Sequence, residues 1–100
     1  MAENVQLRND GCFELSGLVS VDTVGDYRES LVELISASSV DEVEVELGKL
    51  EIQGSAVIVL LISIVRECRS LAKSVVFLHC SEELRAIASA CGVDEILNLK

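Results

Sequence analysis

Two short alternating runs at the start of the chain predict a β-hairpin. Residues 5–7 and 12–16 alternate apolar and polar side chains, which is the period of a strand with one buried face. The polar run 8–11 between them ends in Asp-Gly, a dipeptide typical of tight hairpin turns. Gly17 then breaks the alternation.

The following segment has the spacing of an amphipathic helix. Over 24–37, apolar side chains recur at steps of three and four residues, which places them on one helix face. Thr23 and Asp26 have the spacing of a capping box, in which two side chains hold free backbone amides. The spacing predicts a helix over 24–37 that ends at Ser38. Its apolar positions are Val24, Tyr27, Leu31, Leu34 and Ile35.

A strictly alternating run at 41–47 predicts a strand with two unlike faces. One face is apolar and the other carries three glutamates. Carboxylates packed together against a core would repel one another, so we expect their face to be solvated or to meet a basic partner. The apolar face consists of Val43, Val45 and Leu47, and the acidic face consists of Glu42, Glu44 and Glu46.

The composition of the segment 56–72 fits either a strand or a helix, and its length and its position in the chain decide between the two. Its first half is rich in β-branched residues, which favour strands. The stretch nevertheless runs for about 17 residues without a turn signal, which is long for a strand and ordinary for a helix. A strand is also expected at 74–78, and parallel strands need a crossover of a dozen or more residues. We therefore predict a helix over 56–72, with the Ser55 hydroxyl capping its first turn.

The end of the chain predicts one more helix and a short tail. Ser81 is the expected N-cap, and the acidic pair after it lies at the positive end of the helix dipole. Gly92 is a natural stop, and 93–99 gives a short final element. The chain, 1–100, is thus expected to be a single α/β domain, a mixed sheet covered by helices in the order β-β-α-β-α-β-α with a short C-terminal tail. The apolar face of this helix is Leu84, Ile87, Ala88 and Cys91.

Charge and length exclude several classes of function. The net charge is −9, whereas nucleic-acid binding needs basic groups for the phosphates. Residues 1–54 hold 3 Lys+Arg and 12 Asp+Glu, and residues 55–100 hold 5 of each, so all the net acidity lies in the first half. The longest apolar run, 56–65, has ten residues, against about 20 for a membrane span. The first ten residues lack the order of a secretory signal, so we expect a cytoplasmic protein.

Few side chains could carry chemistry. The chain has one histidine, His79, and four cysteines with no CxxC pair, which disfavours zinc and redox sites. Adjacent strand residues point apart, so His79 and Cys80 are not expected to converge as a catalytic pair. No acid, base and nucleophile are grouped, and neither a phosphate loop nor a metal-ligand cluster is present. The sequence therefore predicts a non-enzyme without metal or cofactor, whose reduced cysteines act as small apolar residues.

The turn that opens the 56–72 helix reads Gly54-Ser55-Ala56-Val57. A strand precedes it, and the predicted strand 74–78 and helix 81–87 follow it. This arrangement, from Val5 to Leu97, resembles the STAS domain, named for sulphate transporters and anti-sigma factor antagonists. The centre of that family is a strand, a short loop and an Asp-Ser-Ser-Gly-like motif that opens a helix. Only Ser55 matches the motif, at the position that is phosphorylated in the antagonists.

Two departures from the antagonists bear on function. The acid of the motif is Gly54 here, and their upstream Gly-Glu-Leu-Asp-like segment is 17–20, which reads Gly-Leu-Val-Ser. In having Ser55 without these acids, the chain resembles another branch of the family, the small STAS subunit of the Mla-type phospholipid ABC transporter. That resemblance implies a cytoplasmic accessory subunit, peripheral to the inner membrane through its partner, that docks on the transporter ATPase. The alternative is an anti-sigma factor antagonist that binds a kinase and is switched by phosphorylation of Ser55.

A partner surface is expected where this helix begins. Its first half is apolar nearly all round, and such a helix is buried by its own domain or by a partner. The alternative is a helix sunk in its own core, with Ser55 as a plain cap. Asp22 and Thr23 lie in the loop that neighbours the Ser55 loop in this fold, and serve either as a rim or as caps. The expected centre of the surface is Ser55, Ala56, Val59 and Leu60, and its rim is Gly54, Ser63 and Arg66.

Overall fold

The computed structural model describes residues 4–8 and 11–99, so the predicted turn residues Asn9 and Asp10 lie outside the described residues. Within the described part, strands and helices alternate after an initial pair of strands. The elements are β1 (Val5–Leu7), β2 (Phe13–Val19), α1 (Val24–Ala37), β3 (Glu42–Ile52), α2 (Ala56–Ser70), β4 (Ser74–Leu78), α3 (Glu82–Ala90) and α4 (Asp94–Leu97). The predicted α/β class and element order are confirmed, with α4 as the short tail.

One mixed sheet organises the chain, in the order β1-β2-β3-β4. β1 runs antiparallel to β2, and the other two pairings are parallel. Because crossovers between parallel strands are right-handed and both run in the same direction across the sheet, α1 and α2 lie on the same face. The two helices also pack against each other. The loops after β2 and β3 therefore emerge at one edge of the sheet.

The core lies between this helical layer and the sheet. Val43 and Val45 are fully buried and Leu47 nearly so, which confirms the predicted apolar face of β3. The strands on either side add Phe13, Leu15 and Phe77, and the helices add Leu31, Ile35, Leu61 and Ile64, all with no exposed surface.

α1 has the predicted bounds but not the predicted cap. Thr23 is the N-cap residue, yet its hydroxyl makes no capping bond among the described residues. It accepts from the Ser20 backbone N–H at 2.9 Å and donates to the Leu18 carbonyl at 2.9 Å. The Thr23 N–H, which Asp26 would hold in a capping box, donates instead to the Ser20 carbonyl at 3.1 Å. The capping-box prediction is therefore wrong, because the hydroxyl is used to close the 20–23 turn.

β2 continues past Gly17, although the alternation of apolar and polar residues breaks there. The register between β2 and β3 shifts between Glu14 and Ser16, which marks a β-bulge. Gly17 has φ +86°, a conformation that glycine adopts without steric cost. A Cβ atom there would lie 2.8 Å from the Tyr27 hydroxyl oxygen, which donates to the Ser16 carbonyl at 2.5 Å. Gly17 thus interrupts the alternation without ending the strand.

The sequence predicts a solvated acidic face for β3, but the structure exposes only part of it. Glu42 is exposed and Glu44 half-buried, but Glu46 is only 7% exposed. Its carboxylate accepts from the Gly48 N–H at 3.0 Å and bonds His79 Nδ1 at 2.5 Å, with Arg8 at 3.8 Å. An arginine and a histidine of this chain therefore contact a carboxylate for which the sequence predicts solvent or a basic partner.

α2 is a helix, as length and topology predicted against β-propensity. It ends at Ser70, two residues before the predicted end. Ala72 adopts φ +58°, and the Lys73 N–H donates to the Cys68 carbonyl at 2.7 Å. This left-handed turn closes the helix in the manner of a C-terminal cap.

The last elements follow the prediction closely. β4 has the predicted bounds, and the Ser81 hydroxyl accepts from the Leu84 N–H at 3.1 Å, confirming the predicted N-cap of α3. Gly92 follows the helix with φ +72°, as a C′ residue does. Leu84 and Ala88 are buried and Ile87 is half-buried, but Cys91 is exposed. Cys91 is thus wrongly placed on the apolar face, because α3 ends at Ala90 and the chain turns away there.

The cysteines divide by burial. Cys12 and Cys68 are buried, Cys80 is half-buried and Cys91 is exposed. Burial raises the pKa of the Cys68 thiol and of the Cys80 thiol, so both stay protonated at neutral pH. The role of a small apolar residue therefore fits Cys12 and Cys68 but not Cys91.

The described residues contain neither a metal-ligand cluster nor a helix that could span a membrane. Across 4–8 and 11–99, no three metal-ligating side chains come together in a way that could hold an ion. In the same residues, no helix has both the length and the apolar character to cross a membrane.

Candidate protein-binding surface

The candidate surface begins in the short loop between β3 and α2. Gly54 is exposed and has φ +67°, a region in which other side chains are strained. A Cβ atom at this position would meet no atom within 4 Å. The backbone conformation, and not crowding, therefore favours glycine where the family motif has aspartate.

Ser55 is the N-cap residue of α2 by position, but its hydroxyl caps nothing among the described residues. Its backbone has φ −99° and ψ 7°, away from the extended conformation that lets a capping hydroxyl reach the helix amides. Its carbonyl accepts from the Ile58 N–H at 3.0 Å. The predicted side-chain cap is therefore wrong, and the exposed Ser55 hydroxyl remains available for another partner.

An exposed stripe runs from Ser55 along the outer side of α2. Val59, one turn on, is 59% exposed. Ser63 is half-buried, and its hydroxyl donates to the Val59 carbonyl at 2.8 Å. Arg66 is exposed at the far end of the stripe, and Ala56 is half-buried beside its start. The structure thus places Gly54, Ser55, Ala56, Val59, Ser63 and Arg66 together on one side of the helix.

Leu60 does not belong to this surface. Successive helix residues are rotated by about 100°, which carries Leu60 from the outward position of Val59 to the side of Val57 and Ile64. Leu60 accordingly has no exposed surface. The prediction that it contacts a partner is wrong, and the alternative of a helix sunk in its own core holds for this side of α2. The buried residues of α2 are Val57, Ile58, Leu60, Leu61, Ile64, Val65 and Cys68.

The loop at 20–23 lies beside the Ser55 loop. Val19 and Ile52, the last residues of β2 and β3, are register partners, so the two loops leave neighbouring strand ends. Asp22 is exposed and can act as a rim, whereas the Thr23 hydroxyl is occupied by its bonds within the loop.

Val21, in the same loop, was missed by the sequence reasoning. Its side chain is 84% exposed, which is unusual for a branched apolar residue. The signal in the sequence is a single valine between Ser20 and Asp22 in a polar turn. We call Val21, Ser55, Val59, Ser63 and Arg66 the docking surface.

Comparison with known proteins identifies the fold family. The family model described as "Mlab, STAS domain" matches residues 5–98. The chain belongs to the STAS domain family. The solved structure of the anti-sigma factor antagonist SpoIIAA in its unphosphorylated form is similar in fold, with a TM-score of 0.74 and 18% sequence identity, over 96% of this chain and 85% of that chain. None of the curated proteins matches the chain.

The residues on either side of Ser55 differ from those of the STAS motif. Val57, which stands where the motif has glycine, is fully buried in the core. Gly54, which stands where the motif has aspartate, is exposed. Ser55 therefore presents a hydroxyl flanked by glycine and by apolar side chains, without a neighbouring carboxylate in the motif.

We expect truncation at Leu60 and at the adjacent Val59 to have very different effects on stability. Leu60→Ala removes a fully buried side chain and should lower the free energy of unfolding by about 2–5 kcal/mol. Val59→Ala changes an exposed position and should stay within about 0.5 kcal/mol. Urea denaturation of both variants measures the difference. Equal losses would contradict the assignment of Val59 to the exposed side of α2 and of Leu60 to its buried side.

Proposed function

We propose that this STAS domain is a non-catalytic binding module that docks on the ATPase subunit of a phospholipid-transporting ABC transporter. Val59 and Ser55 carry the proposal, because they expose an apolar side chain beside an uncapped hydroxyl. Exposed apolar side chains grouped with polar ones are typical of interaction surfaces.

The chemistry around Ser55 supports the transporter branch. The resemblance to the Mla-type STAS subunit implies a hydroxyl residue at this position that contacts the ATPase without being phosphorylated. Gly54 stands where the antagonists have the acid that accompanies their phosphorylated serine. The matching family model carries the Mla name in its description. A hydroxyl with an apolar flank suits a contact that is largely desolvated and contains one hydrogen bond.

A binding role also agrees with the surroundings of Ser55. Among the described residues, the protein offers its hydroxyl no capping partner, and a serine nucleophile requires a base within hydrogen-bond reach. We therefore propose that Ser55 binds and does not react. The proposed place of action is the cytoplasmic side of the inner membrane, which the domain reaches through the ATPase.

A charge in place of Val59 should abolish docking without unfolding the domain. In Val59→Glu, burying the new carboxylate against the ATPase is expected to weaken the complex at least about tenfold. Val40→Glu is the matched control, since Val40 is 43% exposed and lies before β3, at the opposite edge of the sheet. Titration calorimetry with the purified ATPase subunit measures both. Unchanged affinity of Val59→Glu would remove this surface from the interface.

An anti-sigma factor antagonist is the second candidate. The likeness of fold to SpoIIAA favours it, as does the exposure of Ser55 at the family's phosphorylation position. A phosphate there would lie at the positive end of the α2 dipole, an arrangement that stabilises an anion by about 0.3–1 kcal/mol. The same phosphate would put charge beside Val59 and oppose an apolar contact.

The two candidates predict different partners and different chemistry at Ser55. Purification of the tagged chain from membranes should recover an ABC ATPase, with Ser55 unmodified by mass spectrometry. Ser55→Asp should weaken that complex, because it places a charge in an apolar contact. Recovery of a soluble kinase that phosphorylates Ser55 with ATP, and leaves Ser55→Ala unlabelled, would contradict the transporter assignment.

A further inference from the structure

β4 is the last strand of the sheet, whose order is β1-β2-β3-β4. It pairs with β3 from Ser74 to Leu78, so its other edge faces away from the sheet. Backbone groups two residues apart in a strand point to the same side. Since the Phe77 N–H and the Val75 carbonyl both bond to a residue outside β3, the groups on this outer edge belong to Val75 and Phe77.

The sequence of β4 favours pairing with another strand. It reads Ser-Val-Val-Phe-Leu, which is rich in β-branched and aromatic residues and has no charge, glycine or proline. Free edges of such strands pair with strands of other molecules, and proteins therefore cover them or interrupt them with charges. The strand at the opposite edge, β1, has three residues, and such short edge strands offer little backbone for pairing. The edge of β4 therefore needs a cover.

The end of the chain provides that cover. The Asn98 carbonyl accepts from the Phe77 N–H at 3.3 Å, and the Asn98 side-chain amide donates to the Val75 carbonyl at 3.2 Å. Leu99 then forms a parallel bridge with Phe77. Residues 98 and 99 therefore occupy the outer edge of β4 as a further strand would.

The cover is attached through a small number of contacts. Leu97 before it is fully buried, and Leu99 is partly buried against the core. Asn98 between them has φ +46°, a left-handed conformation that asparagine adopts more readily than most residues. α4, from which the cover extends, has four residues. Segments with few buried contacts open at a lower free energy than the core, so the cover can leave the edge while the sheet stays folded.

We propose that residues 97–99 form a strap that closes the outer edge of β4 against a second copy of this chain. With the strap released, two β4 strands can pair antiparallel about a two-fold axis at Val76. Val75 of one copy then stands opposite Phe77 of the other, and the two residues exchange both backbone hydrogen bonds. The strand is uncharged, so no like charges meet across the axis. The same backbone groups cannot serve the strap and a second copy at once.

The strap and the docking surface lie at different places in the fold. The strap lies along β4, whereas the docking surface lies along α2 and in the loop after β2. Self-association through β4 is therefore separate from binding of a partner at α2, and the strap does not depend on the proposed function.

Removal of the strap is tested by sedimentation velocity with matched lysine variants. A chain shortened by residues 98–100 should form dimers or larger species at concentrations where the intact chain is a monomer. Adding Val76→Lys should restore the monomer, because Val76 lies at the two-fold axis and next to the buried Phe77, on the sheet face away from the core. Val21→Lys in the shortened chain is the control, since Val21 is 84% exposed in the loop after β2, and it should leave the association unchanged.

Amide hydrogen exchange of the intact chain tests the strap without a deletion. The Phe77 N–H is bonded to the strap, whereas the Val76 N–H points toward β3. Opening of the strap should let the Phe77 N–H exchange at least about tenfold faster than the Val76 N–H. Equal exchange rates would show that the strap opens only when the sheet unfolds, and would overturn the proposal.

The shortened chain can also contradict the strap directly. If its NMR spectrum shows a folded domain and it stays monomeric, the proposal is overturned. Association that Val76→Lys does not reduce would overturn it as well, because it would show a general exposure of apolar surface. If the shortened chain does not fold, the exchange rates of Phe77 and Val76 in the intact chain decide.

Discussion

The burial of one side of α2 against the sheet and α1 is the constraint on which the candidate surface depends. Leu60, Leu61 and Ile64 have no exposed surface, and burial of each such side chain contributes about 1.5–3 kcal/mol. This packing fixes the rotation of the helix about its axis. Val59 and the serines at either side of it then face outward because no other orientation keeps the leucines in the core. The exposed valine is a consequence of the register of the buried side chains.

The acidic side chains have different surroundings on the two faces of the sheet. On one face, Glu14 and Glu46 are brought together by strand register and pair with Arg8 and Lys49, and Glu46 also bonds His79. Gly48 is part of that arrangement, since a Cβ atom there would lie 2.9 Å from a Glu46 carboxylate oxygen. On the helical face the carboxylates stay in solvent beside the docking surface. The carboxylates of this acidic chain, with its net charge of −9, thus include some that pair with cations of the same chain and some that stay in solvent.

The bounds of α1 and β4 and the N-cap of α3 could be predicted from the sequence. The signals for them are periodicity and a serine before an acidic pair, and these involve only neighbouring residues. The site was less accessible. Periodicity identified the outer side of α2 but not its width, so Leu60 was assigned wrongly. The capping role of Ser55 depended on backbone angles that the Gly54 turn imposes. The contacts of Glu46 could not be predicted, because they depend on the register of three elements that are far apart in sequence. The exposure of Val21 could not be predicted either, because it depends on the conformation of its loop.

The central claim is that the exposed stripe of α2, and not the opposite face of the sheet, meets the partner. Cross-saturation NMR from the unlabelled ATPase subunit to the deuterated, nitrogen-15-labelled chain tests it most directly. The account predicts that signals of Val21, Ser55 and Val59 lose intensity, while those of Lys49 and Glu51 keep theirs. Loss of intensity centred on Lys49 and Glu51, with the start of α2 unaffected, would contradict it.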